Sequence, residues 1–276
     1  MSALAQEPRA RFRDLLAAEW IKLWSLRSTY WVLFVGALVV IGINVNSALS
    51  NADLLANQPA VNPRDPGMRI DPMGPAFVEP AYQILMLIAG SVGAISVFGE
   101  YTSGLIRTTF TAVPARRPVV AAKIVVVTVV TLVLGTVVAA ASFGVTQSIL
   151  GEYGGRSLGD PGSLRAVAGS ALLAPVCAVV GMALGALIRH ATGTVVAVVA
   201  ALLLLPALFG GETYRWVAEI GNAMPLSAWF ALIQGPTSTW DLGRYQTSVT
   251  EAWIVFAAWP LVAGLVAVFV VDRRDV

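Results

Sequence analysis

The sequence predicts an all-α membrane protein with six transmembrane helices, and both its composition and its apolar runs point to this fold class. Hydrophobic residues make up 57% of the 276 residues, against roughly 45–50% in a typical soluble domain. Charged residues make up 12%, about half the usual share, and are too few to cover the surface of a soluble protein of this size. These proportions exclude a soluble enzyme, a disordered chain and a secreted disulfide scaffold.

Six apolar runs are long enough to be membrane spans, because a helix needs about 20 apolar residues to cross the hydrocarbon core of a bilayer. The runs are continuous and do not alternate as the strands of a membrane barrel would. Residues 1–28 are predicted to form a tail and an interfacial helix, residues 29–272 the membrane domain, and residues 273–276 a second tail. The predicted spans lie at about residues 29–47, 80–98, 123–150, 167–188, 191–210 and 252–271.

The distribution of basic residues predicts the orientation of the chain. The two tails and the loops after spans 2 and 4 carry 12 of the 18 Arg and Lys residues. Acidic residues are distributed the opposite way, with 6 on that side and 10 on the other. Because Arg and Lys are in excess in cytoplasmic loops, both termini are predicted to be cytoplasmic.

The sequence offers no catalytic or metal site. It has one cysteine, Cys177, and one histidine, His190, so a disulfide within the chain and a His-based metal site are excluded. Its only lysines, Lys22 and Lys123, do not follow a glycine, so the chain lacks the phosphate-binding loop of P-loop ATPases. The chain is therefore predicted not to be an enzyme and to hold no cofactor. The low net charge of +2 gives no reason to expect a nucleic-acid partner.

Ionisable side chains are almost absent from the interior of the predicted spans, which argues against an ion-coupled secondary transporter. Polar residues do occur there, and Asn44 and Asn46 lie in the outer half of span 1. They are candidates for lining a substrate path. The alternative is that they only make hydrogen bonds between helices, as polar residues in membrane spans commonly do.

The segment from residue 8 to residue 27 has the pattern of an amphipathic helix that lies on the membrane. Aromatic and leucine side chains recur at helical spacing, with charged residues elsewhere around the turn. Tryptophan and arginine suit the headgroup layer. An ordinary anchor beside the first span is an equally good explanation. The apolar positions are Phe12, Leu16, Trp20, Leu23 and Trp24.

The loop after span 2 is predicted to contain a short helix over residues 100–111, because its apolar residues are spaced by three or four. A partner protein would bury these side chains, which are Tyr101, Leu105, Ile106 and Phe110. Alternatively, the arginines of the loop only set the topology and bind anionic lipid. On the other side of the membrane, residues 214–232 are apolar but interrupted, and predict a pair of short re-entrant or interfacial helices.

Two segments resemble the permease subunits of bacterial ABC-2 type transporters. They are AEWIKLWSLRSTYW (Ala18–Trp31) and EYTSGLIRTTFTAVPARRPVVAAK (Glu100–Lys123). The family patterns look like EWxKLRSxRSTxW and EYxxGTIRxTLxxxPxRxxxxxAK. This chain departs from them at Trp24, where Arg is common, and at Leu105, where Thr is common. The chain also lacks the LPSNAG-like stretch that many relatives carry before the last span, and its nearest equivalent is GNAMPLSAW (Gly221–Trp229).

The resemblance implies a permease of the bacterial cell membrane that exports an amphipathic drug, peptide antibiotic, lipid or glycan. It implies two separate ATP-binding subunits, which would hold ATP and Mg²⁺, and a second permease, either a copy of this chain or a related one. The outer short helices would form a gate. The N-terminal helix would be the connecting helix, with Glu19, Trp20, Lys22 and Arg27 as its family residues.

The loop helix would be the coupling helix that docks on the ATPase, and Arg107 would pair with an acid there or with Glu100. The expected coupling residues are Glu100, Tyr101, Gly104, Leu105, Ile106, Arg107, Thr108, Phe110, Arg116 and Arg117. The alternative function is a membrane binding or immunity protein that sequesters a toxic peptide without transport and needs no ATPase.

Overall fold

Among the residues that the structure describes, six helical segments are long and apolar enough to cross a membrane. The structure is a computed structural model that describes residues 11–57, 71–210, 214–234, 245 and 247–273. Helix accounts for 86% of the structure, and the described residues contain no strand. The predicted class of an all-helical, multi-pass membrane protein is therefore confirmed. Residues 1–10 and 274–276, which hold most of the two predicted tails, lie outside the described residues.

Short helices precede the first span and follow the second and the fifth. The six spans are α2 (Arg27–Ala56), α3 (Glu79–Thr102), α5 (Arg116–Ile149), α6 (Ser163–Ile188), the segment Ala191–Leu208 and α11 (Val249–Arg273). Within the fifth span, a π-helical stretch (Ala200–Leu204) joins α7 (Ala191–Val199) to α8 (Leu205–Leu208). The short helices are α1 (Phe12–Ser25), α4 (Leu105–Ala112), α9 (Arg215–Asn222) and α10 (Pro225–Ile233). Because successive spans run in opposite directions, α1 and α4 lie at one end of the bundle, called here the α1 end. Helices α9 and α10 lie at the other, the α9 end.

Helix α6 forms the centre of the bundle. It packs against α3, α5, α10 and α11, and 78% of its most apolar stretch is buried, against 22% for that of α2. Pro175 lies inside this helix and is buried. The surrounding helices therefore enclose the turn that the proline interrupts, which is the setting in which membrane helices tolerate proline.

Glycines allow α3 and α6 to approach until their backbones touch. A Cβ placed on Gly93 would collide with the carbonyl of Ala178, and one placed on Gly181 would collide with the carbonyl of Gly90. Small residues serve this purpose in membrane helix pairs. The sequence alone does not say whether Gly181 packs within the chain or against a second copy, and the structure shows that it packs within the chain.

Of the spans that extend beyond the boundaries expected from their apolar runs, α2 and α5 extend furthest. Helix α2 continues to Ala56 through a polar stretch in which side chains bond to the preceding turn: Ser50 donates to the carbonyl of Asn46, and Asn51 to that of Ser47. Helix α5 begins at Arg116, seven residues before the expected position, because Pro118 sits in its first turn, where no N–H donor is needed.

Candidate functional site

Helix α1 lies across the beginning of α5. Its buried residues, Leu15, Glu19 and Leu23, are spaced by four and share one face. Leu15 packs against Val119 and Ala122 of α5. The backbone N–H of Arg11 donates to Asp14 Oδ2 at 3.0 Å and satisfies one donor at the start of the helix. The buried face of α1 thus places a carboxylate, Glu19, between two leucines.

Four charged side chains close a ring at this contact, formed by Glu19, Lys22, Glu100 and Lys123 and called here the charge ring. Lys22 Nζ lies 2.8 Å from Glu19 Oε1 and 2.9 Å from Glu100 Oε1. Lys123 Nζ lies 3.0 Å from Glu100 Oε1 and also donates to Glu19 Oε2. Two carboxylates and two ammonium groups therefore alternate, and the charge ring is neutral.

The charge ring joins four helices at the α1 end. Glu19 and Lys22 belong to α1, Glu100 to the last turns of α3, and Lys123 to the second turn of α5. Lys22 also donates to the hydroxyl of Thr109, on α4, at 3.3 Å. Because these residues are distant in sequence, the ring fixes how α1, α4 and α5 meet around the end of α3.

Burial makes the charge ring sensitive to the loss of any one member. Glu19, Glu100 and Lys123 are each buried, and Lys22 is half-buried. An ion pair taken out of water is tolerated when its charges are matched and hydrogen-bonded, whereas removal of one partner leaves an uncompensated buried charge.

Lys22 is held in its charged form by this arrangement. Burial by itself lowers the pKa of Lys22, but the hydrogen bonds and charges of Glu19 and Glu100 raise it above its ordinary value of 10.5. A lysine whose pKa is raised on folding contributes its full stabilisation below the unfolded-state pKa and loses it as the pH rises through the folded-state pKa. The contribution of Lys22 is therefore complete at neutral pH and is lost only in strongly alkaline solution.

Helix α4 follows α3 through a turn that requires glycine. Gly104 has φ of +73°, in the left-handed region that residues with a side chain rarely adopt. Beyond this turn, Leu105 exposes 52% of its surface, while Ile106 is buried. Phe110 is partly buried beneath the guanidinium of Arg116, 5.3 Å from its ring centroid. The chain itself therefore covers much of the apolar surface for which a partner was expected.

The predicted coupling residues thus divide into an inward and an outward set. Glu100 is in the charge ring and pairs with two lysines, so it is not the partner of Arg107. Arg117 pairs with Asp272 at the end of α11 at 2.8 Å, and the guanidinium of Arg189 lies over the ring of Tyr101 at 4.3 Å. The exposed residues of α4 are Leu105, Arg107, Thr108, Thr111 and Ala112.

The connecting-helix residues are also split between two environments. Glu19 and Lys22 point into the charge ring. Trp20 exposes 46% of its surface, and Arg27, the first residue of α2, is exposed. The ring of Trp24 lies 5.6 Å from that of Trp20 and 4.7 Å from that of Tyr30, so aromatic side chains cover the junction of α1 and α2.

The two asparagines of span 1 differ in burial. Asn44 is buried; its amide donates to Ser142 Oγ at 2.9 Å and its carbonyl accepts from the backbone N–H of Val78 at 3.2 Å. Asn46 is exposed on another face of α2. Asn44 therefore fastens α2 to α5 and to the chain before α3. That the two asparagines line a substrate path stays a prediction.

The α9 end has its own buried polar contact. Trp229 of α10 is fully buried, stacks on Tyr82 with ring centroids 4.7 Å apart, and donates from Nε1 to Ser170 Oγ at 2.9 Å. Trp259 of α11 donates to the carbonyl of Ala223, between α9 and α10, at 2.7 Å. These bonds hold α10 inside this end of the bundle.

No family model matches this chain, and no curated protein matches it.

Sequence reasoning missed that Lys123 and Thr109 belong to the same site as Glu19. The separations in sequence are large, and Glu19 and Lys123 are 104 positions apart. One signal was present, since the only two lysines of the chain each stand in one of the two segments that resemble the transporter family.

Proposed function

We propose that this chain is the membrane-spanning permease subunit of an ATP-driven ABC-2 type exporter, which works with a separate ATP-binding subunit that holds ATP and Mg²⁺. One observation carries the proposal. The two segments that resemble this family, far apart in sequence, meet in the charge ring, to which each contributes one lysine and one glutamate. The resemblance therefore rests on residues that act together in the fold.

Helix α1 is suited to the role of the connecting helix at a membrane surface. Its inner face is held by the charge ring and by Leu15. Its outer face presents Trp20 and Ile21, which are both exposed, and Phe12 is exposed at its first turn. Exposed aromatic and aliphatic side chains on an otherwise charged helix favour the boundary between headgroups and acyl chains.

Helix α4 is suited to the role of the coupling helix because its exposed face combines one apolar and one basic side chain. Leu105 and Arg107 are both exposed, and Arg107 has no ion pair among the described residues. Thr109, on the inner face of the same helix, bonds to Lys22 of the charge ring. A push on α4 by an ATPase would therefore reach α1, α3 and α5 together.

The charge distribution supports an orientation with the α1 end in the cytoplasm of a bacterial cell. Of the basic residues that the structure describes, ten lie at the α1 end and three at the α9 end. An excess of Arg and Lys marks the cytoplasmic side. In this orientation α9 and α10 face outward, where the buried Trp229 would form part of an external gate for an amphipathic substrate that leaves between two permeases.

The proposal predicts that a charge reversal on the exposed face of α4 detaches the ATPase. We expect the double variant Leu105→Glu, Arg107→Glu to lose the ATP-binding subunit during affinity purification from the native membrane, because a partner surface that accepts leucine and arginine rejects two carboxylates. The amount of co-purified ATPase, measured by quantitative mass spectrometry, is the readout.

Leu158 provides a matched control. It exposes 55% of its surface, close to the 52% of Leu105, but it lies at the α9 end. Leu158→Glu should retain the ATPase at the level of the unmodified protein. Equal retention in the α4 double variant and in this control would contradict the assignment of α4 as the coupling helix.

A further inference from the structure

A cavity of about 450 Å³ lies beside the charge ring at the α1 end, between α2 and α3. This volume is within the range of roughly 300–1,000 Å³ that is usual for small-molecule sites. One part of its wall is apolar and includes Leu23, Val92 and Val126, while Glu100 and Lys123 of the charge ring form another part. The cavity is therefore amphipathic.

Several polar groups on the cavity wall are not used by the chain. Both lysines of the charge ring donate to Glu100 Oε1, and no described residue donates to Glu100 Oε2. The hydroxyls of Ser28, Thr29 and Ser91, which also line the cavity, make no hydrogen bond with the described residues. Glu100 Oε2 is open to the cavity, so the cavity presents one carboxylate acceptor and three hydroxyls to an occupant.

The polar groups of the cavity wall favour an occupant with an uncharged headgroup. A carboxylate oxygen accepts hydrogen bonds and repels an anion, so a fatty-acid carboxylate or a phosphate is disfavoured. The charge ring is already neutral, so a cation would bring an uncompensated charge close to two ammonium groups in a buried site. An uncharged group with several hydroxyls donates to Glu100 Oε2 and exchanges hydrogen bonds with the serine and threonine hydroxyls at no cost in charge.

The position of the cavity indicates that its occupant enters from the bilayer. Val32 of α2 and Ile95 of α3 both line it, and they expose 44% and 45% of their surfaces. Both residues lie in apolar spans, so one open side of the cavity faces the bilayer between these two helices. Ser25 and Leu105, which are also exposed, line the cavity at the α1 end. A molecule that enters from the bilayer brings an alkyl chain, which the apolar wall accommodates.

We infer that this cavity binds an amphiphile of the bilayer with an uncharged, hydroxyl-bearing headgroup and one alkyl chain, of which a monoacylglycerol is the simplest example. The headgroup lies at Glu100 and Ser91, and the chain lies along the apolar wall toward the opening between α2 and α3. The site belongs to a single chain and does not rest on the proposed function.

Photo-cross-linking tests the site and its preference for an uncharged headgroup. The probe is a mono-oleoylglycerol with a diazirine in its acyl chain, added to the full chain in phosphatidylcholine nanodiscs. We expect cross-links in residues 28–32 and 91–100, and unlabelled mono-oleoylglycerol should compete about tenfold better than oleate or oleylamine, a preference of about 1.4 kcal/mol. Cross-links confined to other segments, or equal competition by either charged amphiphile, would overturn the inference.

Two serine variants separate binding at this site from general partition into the bilayer. Ser91→Leu places extra volume in the cavity, and we expect it to weaken the apparent affinity for the probe about tenfold. Ser50→Leu is the control, because Ser50 is exposed at the far end of α2 and only bonds to the carbonyl of Asn46. Glu100 is left intact because its loss would disturb the charge ring. Equal affinity in the two variants would overturn the inference, whether or not an ATPase co-purifies.

Discussion

Lys123→Met is expected to lower the free energy of unfolding by about 3–5 kcal/mol, because it breaks a buried ion network by removing one partner. Glu19 is 4% exposed, and its Oε2 accepts only from Lys123 among the described residues. The variant leaves two carboxylates and one ammonium group in the charge ring, and the unmatched negative charge stays buried. Reversible unfolding in mixed detergent micelles measures the effect.

Two further variants show whether the loss comes from the unmatched charge. Arg117→Met makes the same kind of change near the start of the same helix, but Arg117 and its partner Asp272 form an exposed pair, so little change in stability is expected. The double variant Glu19→Gln, Lys123→Met removes one charge of each sign and should be more stable than Lys123→Met alone. If Lys123→Met and Arg117→Met have the same free energy of unfolding, the charge ring does not hold α1 in place.

Gly93→Ala is expected to cost about 3 kcal/mol or more, at the upper end of the range for overpacked positions. The added methyl group would collide with the carbonyl of Ala178, which is part of the α6 backbone and has no rotamer by which to move away. Helix α3 would have to separate from the most buried helix of the bundle. The free energy of unfolding in the same micelles is the measurement.

Gly144 provides the control for this substitution. It lies in a span, α5, and a Cβ placed on it would have no described atom within 4 Å. Gly144→Ala should leave stability unchanged or raise it slightly, because alanine favours a helix over glycine by up to about 1 kcal/mol. Equal stability of the two alanine variants would contradict the close α3–α6 contact.

The six spans could be predicted from the sequence because the signal is local: a run of about 20 apolar residues is visible without knowing what it packs against. The residues at which the spans begin and end were harder to predict from the sequence. The polar last turns of α2 and the first turns of α5, around Pro118, are helical through hydrogen bonds and backbone geometry, which hydropathy does not register. Likewise, only the structure shows that Gly181 packs against α3 of the same chain.

The interior of the candidate site could not be predicted, because it depends on contacts between distant segments. The resemblance placed Glu100 among the coupling residues, which stays a prediction, but nothing in the sequence indicated that Glu100 pairs with Lys123. For the same reason, the spacing of Ile106 suggested an exposed apolar face, although this residue is buried within the chain. Periodicity shows which residues share a face but not what covers that face.

The measurement that tests the proposed function most directly is the intact mass of the assembly purified from its native membrane in mild detergent, with nucleotide trapped. The proposal predicts two permeases, either two copies of this chain or this chain and a related one, together with two ATP-binding subunits. A lone chain or a homodimer that carries no ATPase under these conditions would contradict it. That result would favour the alternative of a membrane protein that binds a toxic peptide without transporting it.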